Sequence, residues 1–173
     1  MSELTQYQIY DLLNRHGPLW LVGINLAGVN LIGANLGGAA LIGADLREAD
    51  LRQANLSTAI LFGADLSKAN LSTANLREAD LREAILIGVN LRKVSLTGAM
   101  LGGVDLTGID LTYSNLTGAS LIGAILIGAN LTGVNLTGAN LTGADLTGAT
   151  MPVGTVEKAD LTGATMPDGT VHK

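Results

Sequence analysis

The chain has 173 residues, of which 47% are hydrophobic but only 3% are aromatic, and it contains no cysteine. This composition excludes disulfides and thiolate metal sites, and it indicates a single domain with a core of small aliphatic side chains. The net charge of −5 argues against general nucleic-acid binding. Polar residues and glycine interrupt the apolar residues at short intervals, so there is no run of about 18 apolar residues that could cross a bilayer.

The first residues have the pattern of a short amphipathic helix. In the segment 2–16, SELTQYQIYDLLNRH, Ser2 is a candidate N-cap, and Gly17 followed by Pro18 is expected to end the helix. The apolar residues of this segment form one stripe: Ile9, Leu12 and Leu13. We therefore predict a helical cap over residues 1–18. No basic segment followed by an apolar one is present at the start, so we expect no secretory signal and a cytoplasmic location.

A five-residue period dominates the rest of the sequence. Every fifth residue from Leu21 to Leu146 is leucine. We label the positions of each unit a to e: a small residue (a), mostly Asn or Asp (b), the leucine (c), a variable residue (d) and most often Gly (e). A period of five matches neither a helix nor a flat strand. We predict that a and c point inward from a short extended segment, that b points outward, and that e adopts the positive φ of a tight turn.

Residues 44–81, ADLREADLRQANLSTAILFGADLSKANLSTANLREADL, resemble the pentapeptide-repeat proteins, whose units follow A(D/N)LXX. The resemblance is to bacterial and especially cyanobacterial members. It implies an all-β solenoid over residues 19–173, namely a right-handed quadrilateral β-helix with four units per coil and about seven to eight coils. Residues 20 apart would then be axial neighbours separated by about 4.8 Å. The leucines would stack inside, and one such internal column contains Leu51, Leu71, Leu91 and Leu111.

The C-terminal region departs from the regular pattern. Gly154 and Gly169 occupy position a, which is normally Ala, so we expect the coil to loosen or end from about residue 151. The Pro-Asp-Gly sequence at 167–169 is typical of a turn and predicts the end of the winding.

One face of the expected rod carries apolar residues at its outward positions. The candidate interaction residues are Trp20, Ile42, Ile60 and Phe62. Ile60 stands where Asn or Asp is expected, and Phe62 is the only phenylalanine. Exposed apolar patches of this kind mark contacts. Three occupants are open at this stage: the N-terminal segment of the same chain, a second copy in a homodimer, or an unknown protein partner.

The charged residues suggest a different surface. Arg and Glu alternate between Arg47 and Lys93, and Glu48 is expected beside Lys68, which predicts a solvated surface of weak ion pairs. Four aspartates share one face: Asp45, Asp65, Asp105 and Asp145. Because some pentapeptide-repeat proteins mimic DNA, the resemblance implies an alternative function, binding to a type II topoisomerase such as DNA gyrase. Ile85 and Ile125 interrupt the acidic row, which disfavours this alternative.

Nothing in the sequence indicates catalysis. The carboxylates lie at outward repeat positions, where solvent keeps them ordinary, and a convex rod provides no cleft for a substrate. We therefore expect no catalytic, cofactor or metal site, no small-molecule substrate and no direct nucleic-acid or membrane binding. The predicted function is a non-catalytic scaffold for protein interaction whose partner the sequence does not specify.

Overall fold

The computed structural model describes Ile9, Asp11, residues 17–151 and residues 158–173. Single-residue parallel β-bridges join b positions that are 20 residues apart, beginning with Trp20–Ala40 and Asn25–Asp45. Four such positions occur in each coil, so the chain winds as a four-sided solenoid of 20 residues per coil. Apart from one antiparallel bridge near the C-terminus, these parallel bridges are the β-structure of the described residues.

We name the four faces after the b residue that begins each one in the first coil. They are the Trp20 face, the Asn25 face, the Asn30 face and the Asn35 face. Residues 20 apart follow one another along a face, as the five-residue period predicts.

The backbone hydrogen bonds explain why the repeat has five positions. In the unit that begins at Ala69, the N–H groups of c and e donate to the next coil and that of b donates to the previous coil. The N–H of the following a residue closes the turn, and all four bonds measure 2.9 to 3.1 Å. Only the N–H of d remains, and in this unit Ser72 N–H donates to Asn70 Oδ1 at 3.1 Å. An Asn or Asp at b therefore supplies the fifth acceptor, and every backbone donor of the unit is paired.

The core consists of the c leucines and the small a residues. Leu51, Leu71 and Leu111 are fully buried, and Leu91 is 2% exposed. Alanines such as Ala69 and Ala74 fill the a positions beside them and are equally buried. Each buried leucine contributes about 1.5–3 kcal/mol of apolar burial, so the continuous internal stack holds the rod together.

The turns place position e in the left-handed region. Gly98 and Gly118, for example, have φ values of +67° and +65°, as predicted from the sequence. Among the described residues, nine others that are not glycine adopt the same conformation: Glu48, Gln53, Thr58, Lys68, Thr73, Glu78, Glu83, Lys93 and Tyr113. An L-residue in this region costs about 1–2 kcal/mol. Most of these strained positions lie between Glu48 and Lys93, where polar side chains take the place of glycine.

The predicted N-terminal cap is described at only two positions. Ile9 and Asp11 have helical backbone, and Ile9 is buried in the hydrophobic core. The other residues of the segment 2–16 lie outside the described residues, so the helical cap over residues 1–18 stays a prediction.

Near the other end, residues 152–157 lie outside the described residues, and the loosening expected from about residue 151 stays a prediction there. The winding is present again beyond them. Asp160 bridges to Asn140 with the usual separation of 20, and Leu161 is buried at 5% exposure.

The final residues fold back as a turn. Gly169 N–H donates to Met166 O at 2.9 Å, and Thr165 pairs with Val171 in an antiparallel bridge. The Pro-Asp-Gly turn is therefore present where the sequence predicts it. Because the chain reverses here, Val171 is 64% exposed although it keeps the five-residue period.

Candidate interaction surface

The outward residues of the first coils form an apolar surface on the Trp20 face. We define the N-terminal apolar patch as Trp20, Val22, Ile42, Ile60 and Phe62. Trp20 is 85% exposed, Phe62 is half-buried, and the other three side chains are exposed. The structure thus brings the four residues selected from the sequence onto one face and adds Val22 to them.

The patch coincides with the loss of the side-chain acceptor that most other units possess. Position b holds Trp20, Ala40 and Ile60 here, and none of these side chains can accept a hydrogen bond. Among the described residues, the N–H groups that follow at d, those of Val22, Ile42 and Phe62, have no protein acceptor. Each such unit forgoes a bond whose net contribution is about 0.5–1.5 kcal/mol. The apolar side chains therefore stand where the fold itself favours Asn or Asp.

An ion pair forms the boundary of the patch. Arg82 Nε and Nη2 donate to the two carboxylate oxygens of Asp80 at 2.8 and 2.7 Å, and the guanidinium lies 6.0 Å from the centre of the Phe62 ring. Hydrogen bonds from the Arg82 side chain hold the pKa of the buried Asp80 carboxyl below its ordinary value. The patch therefore ends at a neutral, fixed pair that packs against its aromatic ring.

A second apolar cluster lies further along the rod and was missed by the sequence reasoning. It consists of exposed isoleucines, of which Ile87 at 69% is the most accessible: Ile85, Ile87, Ile122, Ile125 and Ile127. Four of them occupy b and d of two units on the Asn25 face, and again the d N–H groups have no acceptor within the described residues. The signal in the sequence is the joint occurrence of an apolar residue at b and at d. Ile85 and Ile125 were interpreted only as interruptions of an acidic row.

That acidic row is not a line of free charges. Asp45 is paired with Arg47 at 2.6 Å, and Arg47 Nε also lies 3.8 Å from Asp65 Oδ2. Further along the row, Asp105 and Asp145 accept hydrogen bonds from the N–H groups two residues later, both at 2.9 Å. Each of these aspartates has a structural role at position b, and Ile85 and Ile125 interrupt the row beyond Asp65. The row therefore lacks the continuous negative potential of a nucleic-acid backbone.

Bonds from neighbouring side chains lower the pKa of three carboxyl groups in the row, those of Asp45, Asp105 and Asp145. Side-chain hydrogen bonds from Arg47 to Asp45, and from Thr107 to Asp105, are the main causes. The expected pairing of Glu48 with Lys68 is present, with 3.7 Å between Oε1 and Nζ. Both side chains are largely exposed, so this pair contributes at most about 1 kcal/mol.

Other kinds of site were sought in the part of the chain that the structure describes. In residues 17–151 and 158–173, no group of His, Asp and Glu side chains is arranged to hold a metal ion. The same residues include no helix long and apolar enough to span a membrane.

Comparison with known proteins agrees with this architecture. The family described as Pentapeptide repeats matches in eight copies over residues 20–47, 41–77, 74–112 and 114–151. Among curated protein sequences, none matches significantly.

Several solved structures resemble the chain. A trypsin-treated variant of QnrB1, a plasmid-mediated fluoroquinolone resistance protein, superposes with a TM-score of 0.66 at 23% identity and covers 86% of this chain and 77% of its own. HetL from the cyanobacterium Nostoc sp. strain PCC 7120, a protein involved in heterocyst differentiation regulation, is 32% identical over 99% of this chain and 100% of its own, with a TM-score of 0.37. Rfr23 from the cyanobacterium Cyanothece 51142 is 34% identical over 68% of this chain and 83% of its own, with a TM-score of 0.31.

The family match extends over most of the solenoid, and the structural likeness to QnrB1 concerns the fold. Together with the 20-residue coil and its internal leucines, these findings confirm the resemblance inferred from the repeat. The chain belongs to the pentapeptide-repeat family, and its coil is the right-handed β-helix of that family.

Proposed function

We propose that this protein is a non-catalytic scaffold that binds another protein through its N-terminal apolar patch. One observation supports this most strongly: on the Trp20 face, three consecutive coils replace the b-position acceptor with an apolar or small side chain and add an apolar residue at d. The replacement forgoes hydrogen bonds and leaves Trp20, Val22, Ile42 and Ile60 exposed to solvent. A contact with another molecule would bury these apolar side chains, and this explains their presence on the surface.

The chemistry of the patch suits a protein partner. It combines an indole, a phenyl ring and branched aliphatic side chains with a charged pair, Asp80–Arg82, at its edge. Aromatic residues and Arg are enriched in the centres of protein interfaces. The partner is therefore expected to present an apolar surface with polar groups at its border.

Two substitutions in the patch test the proposal. Ile60→Asn restores the usual acceptor for the Phe62 N–H, so it should preserve or slightly raise stability while it weakens binding. Phe62→Ser removes the aromatic ring from the patch and should also weaken binding with the fold intact. Ile32→Thr is the matched control, since Ile32 is an exposed isoleucine on the Asn30 face whose own N–H is already paired with Asn30.

The measurements are affinity capture from a cyanobacterial lysate and the molar mass by light scattering. We expect the wild type and Ile32→Thr to behave alike, and Ile60→Asn and Phe62→Ser to lose a captured protein. A change of molar mass instead identifies the occupant as a second copy of this chain. If both patch variants match the wild type in capture and in mass, the patch is not an interaction surface and the proposal is wrong.

A further inference from the structure

The ladder of hydrogen bonds between coils is interrupted in one place. From residue 19 to residue 150, wherever both partners are described, all the expected inter-coil backbone bonds have normal hydrogen-bond geometry except a contiguous set of six. The N–H groups of this set belong to Glu83, Leu86, Gly88, Leu91, Asp105 and Asp110. They all lie between the segments 83–91 and 102–110 of two successive coils. We call this region the seam.

The bridge pattern shows the centre of the interruption, while Asn90 still bridges to Asp110, so the bonds of Leu91 and Asp110 are weakened and not lost. Asp65 bridges to Ile85, and Asp105 bridges to Ile125, but no bridge joins Ile85 to Asp105. Between residues 20 and 150, this is the only such step with both residues described that lacks its β-bridge. The coils are paired again on either side, since Leu81 N–H donates to Met100 O at 2.9 Å and Lys93 N–H donates to Thr112 O at 3.0 Å.

The sequence at position a explains the interruption. Within each column of a residues, Ala is the usual occupant, and the coil spacing of about 4.8 Å suits it. Val89 and Ile109 stand directly above one another in one column, between Ala69 and Ala129. No other column from residue 19 to residue 149 places two branched aliphatic residues in succession at this position. Both side chains are 4% exposed, so their extra volume is accommodated inside the rod. Overfilling a packed core displaces backbone, and here it separates the two coils.

A buried hydroxyl group, that of Ser114, lies at one end of the seam. Ser114 occupies position a and is 1% exposed. Its Oγ donates to Leu91 O at 2.6 Å and accepts a hydrogen bond from Val94 N–H at 3.2 Å. The direct turn bond from Val94 N–H to Leu91 O, which the other described turns of the solenoid possess, is replaced by this side chain. The Ser114 hydroxyl group thus bridges Val94 N–H and Leu91 O, which no longer bond to each other directly.

We propose that the seam is a joint that divides the solenoid into two blocks and opens locally without unfolding either one. Opening breaks few ladder bonds along the seam, because those of Glu83, Leu86, Gly88 and Asp105 are already absent and those of Leu91 and Asp110 are weak. Separation at any other level breaks a full set of them. The exposed Ile87 and Ile127 lie on opposite sides of the joint, so movement there changes the spacing within the isoleucine cluster. This inference is independent of the proposed function of the N-terminal apolar patch.

Amide hydrogen exchange measured residue by residue tests the joint. The matched pairs are Leu86 with Leu106 and Gly88 with Gly108, because each pair shares residue type and face, and the later member is bonded to the next coil at 2.7 and 2.8 Å respectively. We expect the seam amides to exchange at least about tenfold faster than their matched partners. Equal protection within both pairs would overturn the proposal.

The cause is tested with Ile109→Ala, which restores the usual residue at position a. The ratio of exchange rates within each matched pair should fall at least about threefold, and this ratio is independent of any change in global stability. Val134→Ala is the control, because Val134 also occupies position a but the described inter-coil bonds beside it, those of Leu131 and Asn135, are intact. It should leave the ratios unchanged. A ratio that Ile109→Ala does not lower, or that Val134→Ala lowers equally, would refute overfilling as the origin of the joint.

Discussion

Removing one leucine from the middle of the stack should destabilise the whole molecule. Leu71 is fully buried, with the buried Leu51 and Leu91 in the coils on either side. Leu71→Ala removes three carbons at about 0.8 kcal/mol each, and the cavity that remains adds to this loss. Bonds to both neighbouring coils hold the backbone on either side of Leu71 at 2.9 to 3.0 Å, so the site has little freedom to collapse. We therefore expect a loss of about 3–4 kcal/mol in the free energy of unfolding.

Urea denaturation of the wild type and the variant, followed by circular dichroism, measures this loss. Ile87→Ala is the matched control, because it also shortens an aliphatic side chain but at a position that is 69% exposed. The control should change the free energy of unfolding by less than about 0.5 kcal/mol. A loss below about 1 kcal/mol for Leu71→Ala, or equal losses for both variants, would refute the internal leucine stack as the source of stability.

Three further outcomes are expected. Gly133→Ala should lower the free energy of unfolding, measured in urea, more than Gly138→Ala does. Both glycines have φ of +69°, but only at Gly133 would the new Cβ lie 2.5 Å from the Tyr113 ring. In a Tyr113→Ala background the difference should disappear. The Arg82 hydrogen bonds lower the pKa of Asp80 in the folded state. The free energy of unfolding that they contribute is therefore fully present above the pKa of Asp80 in the unfolded chain, about 3.9, and is lost as the pH falls through its pKa in the folded protein. Asp80→Asn should accordingly flatten the decline of unfolding free energy between about pH 5 and pH 3, and a decline as steep as that of the wild type would contradict this role. Finally, because the acidic row is paired and interrupted, micromolar protein at low salt should not inhibit supercoiling by DNA gyrase; inhibition would favour the DNA-mimic alternative.

The sequence predicts the architecture well because one physical requirement recurs in every unit. A leucine such as Leu71 at every fifth position can be buried only if the chain turns once per unit, and the glycines at position e match that turn. The structural role of the aspartates and asparagines was less accessible, since the need for an acceptor at Ser72 N–H becomes apparent only after the other four backbone donors are assigned. The isoleucine cluster was missed because Ile85 and Ile125 stand out in the sequence as interruptions of the acidic row, and the isoleucines at d beside them, Ile87 and Ile127, become relevant only once d is known to point outward.

The seam could not be predicted from the five-residue period. Val89 and Ile109 each conform to an apolar position a, and their conflict arises only because the 20-residue coil stacks one upon the other. Ser114 likewise conforms to the preference for small residues, and its role depends on a turn in the preceding coil. The end of the solenoid was also uncertain from sequence, since Val171 keeps the period although the chain has already reversed.

The four-sided solenoid requires residues 20 apart to be axial neighbours, and pairs of introduced cysteines test this directly in a chain that has no cysteine of its own. Thr117 and Thr137 occupy position d on the same face, one coil apart, at a separation of about 4.8 Å that a disulfide can bridge. Thr117 and Thr132 are closer in sequence but lie on different faces. Mild oxidation should form an intramolecular disulfide in Thr117→Cys/Thr137→Cys and not in Thr117→Cys/Thr132→Cys. Mass spectrometry and mobility on a non-reducing gel measure the disulfide. A disulfide in the second variant without one in the first would contradict the 20-residue coil.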